Sequence, residues 1–415
     1  MALREDAAAL AGQLAELRHA IHREPEIGLD LPLTQAKVLA ALDGLPLEIS
    51  TGRKLSSVTA VLRGGGAGPG ETPGETPGRT PGGARPVVLL RGDMDALPVT
   101  EDTGLPYRSR FEGVMHACGH DLHTAMLAGA ARLLSVRRAE LPGDVIFMFQ
   151  PGEEGYRGAG LMIGEGVLDA AGPRRPVAAY ALHVSSTQLP CGVFATRPGP
   201  MLAAADIIRV TVRGRGGHAS QPHLAADPIT AACSMVTALQ TMVTRRFDVF
   251  DPVVVTISSI HAGTTDNVIP DEAAFLGTAR SYSPGARDRL RVEVIRLIND
   301  LADAHGVSAD AHYVNEYPVT VNDPAEAEFA RAVAADVFGD RCSVPKAHPM
   351  TGAEDFSYVL QQVPGAFISA GAVPPDRDPA TAPSNHSAAA RFDDAALADG
   401  AALYAELALR RLGTA

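Results

Sequence analysis

The chain has 415 residues, 46% hydrophobic and 20% charged, the composition of a globular protein with material for two or three domains. Its net charge of −12 argues against a polyanionic partner such as nucleic acid. No apolar run of ~18 residues and no leader-like h-region is present, which points away from a membrane span or a signal peptide. The four cysteines (118, 191, 233 and 342) are few and widely spaced, which suits a reducing cytoplasm rather than a disulfide framework.

The first predicted element is an amphipathic helix with Leu10, Leu14, Leu17 and Ile21 on one face. Between two strand-like segments, 58–62 and 87–90, lies the low-complexity stretch 64–85, rich in Gly, Pro, Thr and Glu. It is nearly free of apolar side chains, cannot form a core, and is expected to be a disordered surface loop. Residues 85–195 then alternate strand and helix: strands at 86–91, 144–149 and 178–183, helices at 125–138 and 159–168. Helical connections between apolar strands favour a mainly parallel sheet covered on both faces, hence an α/β domain.

Residues 197–315 read differently. Strands at 206–212, 253–260, 273–280 and 308–314 and helices at 225–246 and 284–305 follow the order β-α-β-β-α-β, the ferredoxin-like arrangement of an α+β domain. This segment is read as a smaller domain, 197–315, inserted into a larger one made of 1–196 and 316–415. The final part returns to mixed helix and strand, with helices at 324–338 and 394–412.

The chemistry-bearing side chains fall at the C-terminal ends of the first domain's strands, where open α/β sheets hold ligands. Asp93 and Asp95 follow one strand, Glu153 and Glu154 another, and His183 a third. Met115-His-Ala-Cys-Gly-His-Asp-Leu-His123 adds Cys118, His120 and Asp121, and Pro383-Ser-Asn-His-Ser387 adds His386. Cys, His and carboxylate are the donors that bind zinc-like and manganese-like ions. Cys118, His120, Glu154, His183 and His386 are five candidate ligands, too many for one tetrahedral site, and they suit two divalent ions bridged by one ligand or a water. Glu153, beside Glu154, is then placed to act as general base. A ligating imidazole needs an acceptor on its other nitrogen, for which Asp95 and Asp121 are the candidates; both also fit turn or N-cap roles. In the inserted domain His218, Asn267 and Arg280 could bind a carboxylate or a developing oxyanion, although glycine-rich turns and strand-end arginines are common without function.

Several stretches carry a family resemblance: Arg18-His-Ala-Ile-His-Arg-Glu-Pro-Glu26, Arg91-Gly-Asp-Met-Asp-Ala-Leu-Pro98, Met115–His123, Gln150-Pro-Gly-Glu-Glu-Gly155, Leu182-His183, Gly216-Gly-His-Ala-Ser-Gln-Pro-His223, Asn267-Val-Ile-Pro270, Gly277-Thr-Ala-Arg280 and Gly352-Ala-Glu-Asp-Phe356. In this order they resemble the M20 metallopeptidase family, within it the amidohydrolase branch of hippurate hydrolases, N-acyl-amino-acid aminoacylases and auxin-conjugate hydrolases. The resemblance implies a dinuclear metal site in a catalytic domain and a ferredoxin-like lid that dimerises. It implies metal-ligand roles for Cys118, His120, Glu154, His183 and His386, the base role for Glu153, and substrate contacts for His218, Asn267 and Arg280. The chain departs from that branch at Ser384-Asn385, where Leu usually precedes the histidine, and in the 64–85 insert.

The expected activity is metal-dependent hydrolysis of N-acyl amino acids by a cytoplasmic homodimer. Manganese or zinc is the expected metal, with cobalt and nickel also compatible. The rival readings are a dipeptidase or exopeptidase of the same fold, and a metal-free binding or scaffold protein with a relict site.

Overall fold

The computed structural model describes residues 2–66 and 85–414; most of the expected 64–85 loop, residues 67–84, lies outside them. The chain forms two compact units, one of Met1–Gly199, Val321–Ala347 and Tyr358–Ala415, the other of Pro200–Thr320 and His348–Ser357. The segment His348–Ser357, assigned from sequence to the larger domain, groups with the smaller one. Met350 N donates to Met201 O (2.9 Å) and Ala203 N to Met350 O (3.1 Å), so backbone pairing rather than sequence order places it there.

The first unit is built on an eight-stranded mixed sheet. Its strand order is Leu47–Thr51, Val58–Leu62, Asp144–Gln150, Val87–Asp93, Ala178–Pro190, Gly365–Val373, Phe194–Thr196, Ser343–Pro345. The four strands from Asp144–Gln150 to Gly365–Val373 pair in parallel, and antiparallel strands extend the sheet at Val58–Leu62 and Phe194–Thr196. Val87–Asp93, Asp144–Gln150 and Gly365–Val373 are buried at every position, as expected when helices cover both faces. Leu3, Ala7 and Leu14 of the first helix, Ala2–Arg23, are buried with the helices His120–Val136 and Ala395–Gly413 in one large core, and Ile21 is fully buried. The strand Gly365–Val373 sits centrally but shows no alternation in sequence (Gly-Ala-Phe-Ile-Ser-Ala-Gly-Ala-Val), because both of its faces are covered.

The second unit is an antiparallel four-stranded sheet in the order Val253–Ala262, Glu272–Ser281, Ala204–Arg213, Ser308–Tyr317. With strands numbered along the chain this is 2-3-1-4, the ferredoxin-like order, completed by the helices Pro228–Arg246 and Pro284–Ala304. Both helices start with proline after a capping side chain. Asp227 Oδ1 accepts from Ile229 N (2.8 Å), and Ser283 Oγ from Ala286 N (3.0 Å). Along the second helix Ala286, Leu290, Val294, Ile298 and Ala302 recur every four residues and are buried against Ile208, Val210 and Phe275 of the sheet.

Candidate metal centre

The helix read from sequence as 125–138 begins five residues earlier, at His120, and this matters for the site. Gly119 precedes it with φ 87°, a conformation that favours glycine, and a β-carbon there would lie 2.3 Å from Val184 Cγ2. The turn between Cys118 and His120 therefore depends on glycine. At the strand end, Gly92 lets the helix approach: a β-carbon there would meet His123 O at 2.8 Å.

Four separate segments bring the donors together. Cys118 Sγ lies 3.4 Å from His183 Nε2 and 3.3 Å from His386 Nε2. His386 Nε2 is 3.1 Å from Glu154 Oε1, and His120 Nε2 is 4.0 Å from the same oxygen. Two triads result, Cys118–His120–His183 and Cys118–Glu154–His386, each with ligand atoms within 4.8 Å of one another and with Cys118 common to both. His120, Glu153 and Glu154 form a further such group.

Hydrogen bonds fix how the imidazoles present themselves. His120 Nδ1 donates to the Asp95 carbonyl (2.9 Å), with Asp95 Oδ1 at 3.4 Å, which leaves Nε2 directed at the cluster. His183 Nδ1 donates to Val184 O (2.9 Å), again freeing Nε2. Asp93, His120 and His123 also converge, but both nitrogens of His123 are occupied: Nε2 accepts from Val184 N (2.8 Å) and Nδ1 donates to Asp93 Oδ1 (2.5 Å). His123 and Asp93 thus brace the site. In the sequence the signal for Asp93 as a supporting residue is its i, i+2 spacing from Asp95 on an emerging strand.

Two observations test whether this set fits a cation. His120 Nε2 is buried and makes no hydrogen bond, a costly state for a polar atom unless something else engages it, and buried Glu154 Oε1 meets His386 Nε2 at 3.1 Å. The cluster also attracts positive charge. Burial pulls His120 down, yet Asp93 and Cys118 outweigh it and hold the imidazole well above its ordinary value. Hydrogen bonds to Cys118 and Glu154 push His386 up to about 10. Protons on these rings occupy the place of a cation. Burial, reinforced by the charge of His123, holds His183 well below its usual value, in the neutral form that offers a lone pair.

Asp95 accepts from Glu153 N with Oδ1 (2.9 Å) and from Glu154 N with Oδ2 (3.0 Å), so one carboxylate orients both neighbouring glutamates. Asp121 has different partners from the acceptor role considered for it. Its Oδ2 accepts from Arg18 Nε (2.8 Å) and His22 Nδ1 (2.8 Å), and Arg18 continues to Tyr107 Oη (2.7 Å) and Asp394 Oδ1 (2.7 Å). This buried network ties the first helix to the start of the helix His120–Val136. Arg18 and His22 are four apart, on one helix face, a spacing visible in the sequence.

In the second unit His218 and Asn267 lie on either side of a small ribbon in which Val268 pairs with His218, and Ala219 N donates to Asn267 O (3.1 Å). His218 is exposed, and its Nδ1 accepts from Ser220 N (3.1 Å); the neutral ring therefore carries its hydrogen on Nε2, as a donor. Arg280 is placed instead on the sheet strand Glu272–Ser281, where its Nη1 donates to Thr278 Oγ1 (2.6 Å).

Comparison with known proteins agrees with this geometry. The profile of peptidase family M20/M25/M40 matches residues 89–410. The chain is 34% identical over 412 residues to a thermostable carboxypeptidase of Saccharolobus solfataricus, covering 98% of each. It is 36% identical over 400 residues to the IAA-amino acid hydrolase ILR1-like 4 of Arabidopsis thaliana, covering 95% of this chain and 85% of the relative. A crystal structure of a dinuclear metal binding peptidase of the M20 family from Bacillus subtilis superposes with a TM-score of 0.80 at 30% identity, covering 98% of this chain and 100% of that one. The chain belongs to peptidase family M20/M25/M40 and is a hydrolase of amide bonds.

Asp121 provides a stability test. Burial raises its carboxyl, but Arg18 and His22 outweigh burial and hold it far below the ordinary carboxylate value. A depressed carboxyl contributes fully above its unfolded value of about 3.9, and the contribution is lost as pH falls through the folded value. Asp121→Asn leaves Arg18 buried without its charge partner and is expected to cost about 3–5 kcal/mol in denaturant unfolding at pH 7. The gap between wild type and variant should narrow below about pH 4. Equal stability at pH 7 would contradict this role.

Proposed function

We propose that this protein hydrolyses N-acyl amino acids, releasing a carboxylic acid and an amino acid, with two divalent ions held by Cys118, His120, Glu154, His183 and His386. The observation that carries the reading is the pair of triads sharing Cys118, with the buried His120 Nε2 lacking a hydrogen bond. A relict site in a scaffold protein would have no reason to keep five convergent donors and a carboxylate beside them. Manganese or zinc is the proposed metal, with cobalt or nickel able to substitute.

When bound, such a pair of ions supplies a water acidified towards neutrality and a Lewis acid for the amide carbonyl. The remaining work falls to the chain. Glu153, held by its backbone N–H on Asp95, takes the proton of the attacking water and returns it to the departing nitrogen. His218, with its hydrogen on Nε2, donates to the oxygen that becomes negative as the carbonyl turns tetrahedral. Asn267 and Arg280 bind the amino-acid carboxylate.

The dipeptidase or exopeptidase alternative is supported by the carboxypeptidase relative, and a panel of N-acetyl, N-benzoyl and long-chain N-acyl amino acids set against dipeptides separates the two. The four free cysteines suit a reducing cytoplasm. Among the described residues no helix is long and apolar enough to cross a membrane.

Glu153→Gln preserves shape and removes the base, so kcat is expected to fall by about 10²–10⁴ with metal content unchanged. A variant that keeps most of its activity would exclude this mechanism.

The resemblance of the inserted domain to a dimerising lid leads us to propose a homodimer in which His218 serves the partner subunit's active site. His218→Ala and Glu153→Gln should each be inactive alone. Their purified heterodimer has one site with both residues intact and should recover up to about half of wild-type activity, by the closed two-fold symmetry of such pairs. A heterodimer no more active than its parents would show that His218 does not act across the dimer.

A further inference from the structure

Asn385 lies in one of the two stretches where the chain departs from the branch it resembles, and both polar atoms of its side chain are engaged. Oδ1 accepts from Ser186 N (3.0 Å) and lies 3.1 Å from Ser186 Oγ. Nδ2 donates to the carbonyls of Cys118 (3.0 Å) and Val184 (2.9 Å). One carboxamide thus spans the backbone beside three donors: Cys118 itself, His183 through Val184, and His386 through the peptide bond. Ser186 Oγ donates in turn to Pro383 O (2.7 Å), closing the turn that carries Asn385.

The histidine that follows needs such support. His386 has φ 71°, in the left-handed region that costs a residue with a β-carbon about 1–2 kcal/mol. Its N–H donates to Ala117 O (2.9 Å), so the unusual backbone also docks against the Cys118 segment. More than half of the His386 side chain is solvent-exposed, and packing does little to hold the ring. Its position relative to Cys118 Sγ follows from the backbone on which Asn385 acts.

We propose that Asn385 is a positioning residue that sets the placement of His386 and Cys118 relative to His183, and so the affinity with which the Cys118–Glu154–His386 triad holds its ion. This rests on the two-ion reading above. The carboxamide touches neither substrate nor the reacting atoms. Its closest partners are main-chain groups of residues 118, 184 and 186, which hold the donor-bearing segments at a fixed separation, and Nδ2 also lies 3.9 Å from Cys118 Sγ. Supporting groups of this kind commonly change metal affinity by about 10–100-fold when removed.

The test uses the full-length, metal-free protein titrated with Co²⁺, followed by calorimetry and by the visible and near-ultraviolet bands of thiolate-bound cobalt. Asn385→Leu keeps the branched side chain with the same number of heavy atoms and removes its hydrogen bonds. Asn385→Asp keeps the shape and the Oδ1 acceptor but removes both donors. Wild type should bind two equivalents. Both variants should bind at least one equivalent about 10–100-fold more weakly than wild type and show an altered cobalt–thiolate spectrum. Thermal melts of the metal-free proteins check folding, and if the Leu variant shows no cooperative transition, the Asp variant carries the comparison. Variants with wild-type affinity for both equivalents and an unchanged spectrum would overturn the inference alone. A wild type that binds fewer than two ions, or shows no thiolate band, would overturn the two-ion reading and this inference with it.

Discussion

The geometry of the centre depends on Asp95. Its two carboxylate oxygens accept the backbone N–H groups of Glu153 and Glu154, while its main-chain carbonyl accepts His120 Nδ1. One buried residue at the end of a parallel strand therefore orients the proposed base, one carboxylate donor and one imidazole donor. Adjacent glutamates on a turning chain send their side chains different ways, and pinning both amides to a single carboxylate fixes that divergence. Backbone amides donated to an anion are among the stronger hydrogen bonds a protein makes, and in a buried setting they resist displacement by water.

Around Asp95 the fold acts as a convergence device. Parallel strands end at the same edge of the sheet, so residues distant in sequence become neighbours there without long loops. Cys118 and His386, 268 positions apart, approach to 3.3 Å because the turn at Gly119 and the left-handed backbone at His386 both face the end of the strand that carries His183. Behind this layer the Arg18–Asp121–His22 network fixes the first turn of the helix His120–Val136. The arrangement places charge balance deep in the molecule, where a missing partner is costly, and leaves only His386 well exposed among the donors.

Much of this was legible in the sequence, for identifiable reasons. The runs Met115–His123 and Gln150–Glu154 hold their chemistry locally, and the strand–helix alternation around them is strong enough to place it on the sheet edge. The β-α-β-β-α-β order of the second domain was visible because its strands are half exposed and alternate. What the sequence did not show is tertiary in origin. That Cys118 stands between two triads emerges only once four segments meet. Asp121 and Asp95 both read as possible acceptors for an imidazole, and the helix Ala2–Arg23, remote in sequence, supplies the partners that separate their roles. The strand Gly365–Val373 is covered on both faces and built largely of small residues, so it carries no period to read. In the sequence Asn385 reads only as a departure from the related branch, because a side chain bonded to two remote backbone segments has no sequence signature.

The central claim is that two ions share Cys118. X-ray absorption at the metal edge of the fully loaded protein tests it most directly, because sulfur and nitrogen or oxygen neighbours scatter distinguishably. The account predicts two ions per chain, a sulfur neighbour for each at about 2.3 Å, and a metal–metal separation of about 3.5–4 Å. A single ion per chain, or sulfur scattering that accounts for only one of the two ions, would contradict it.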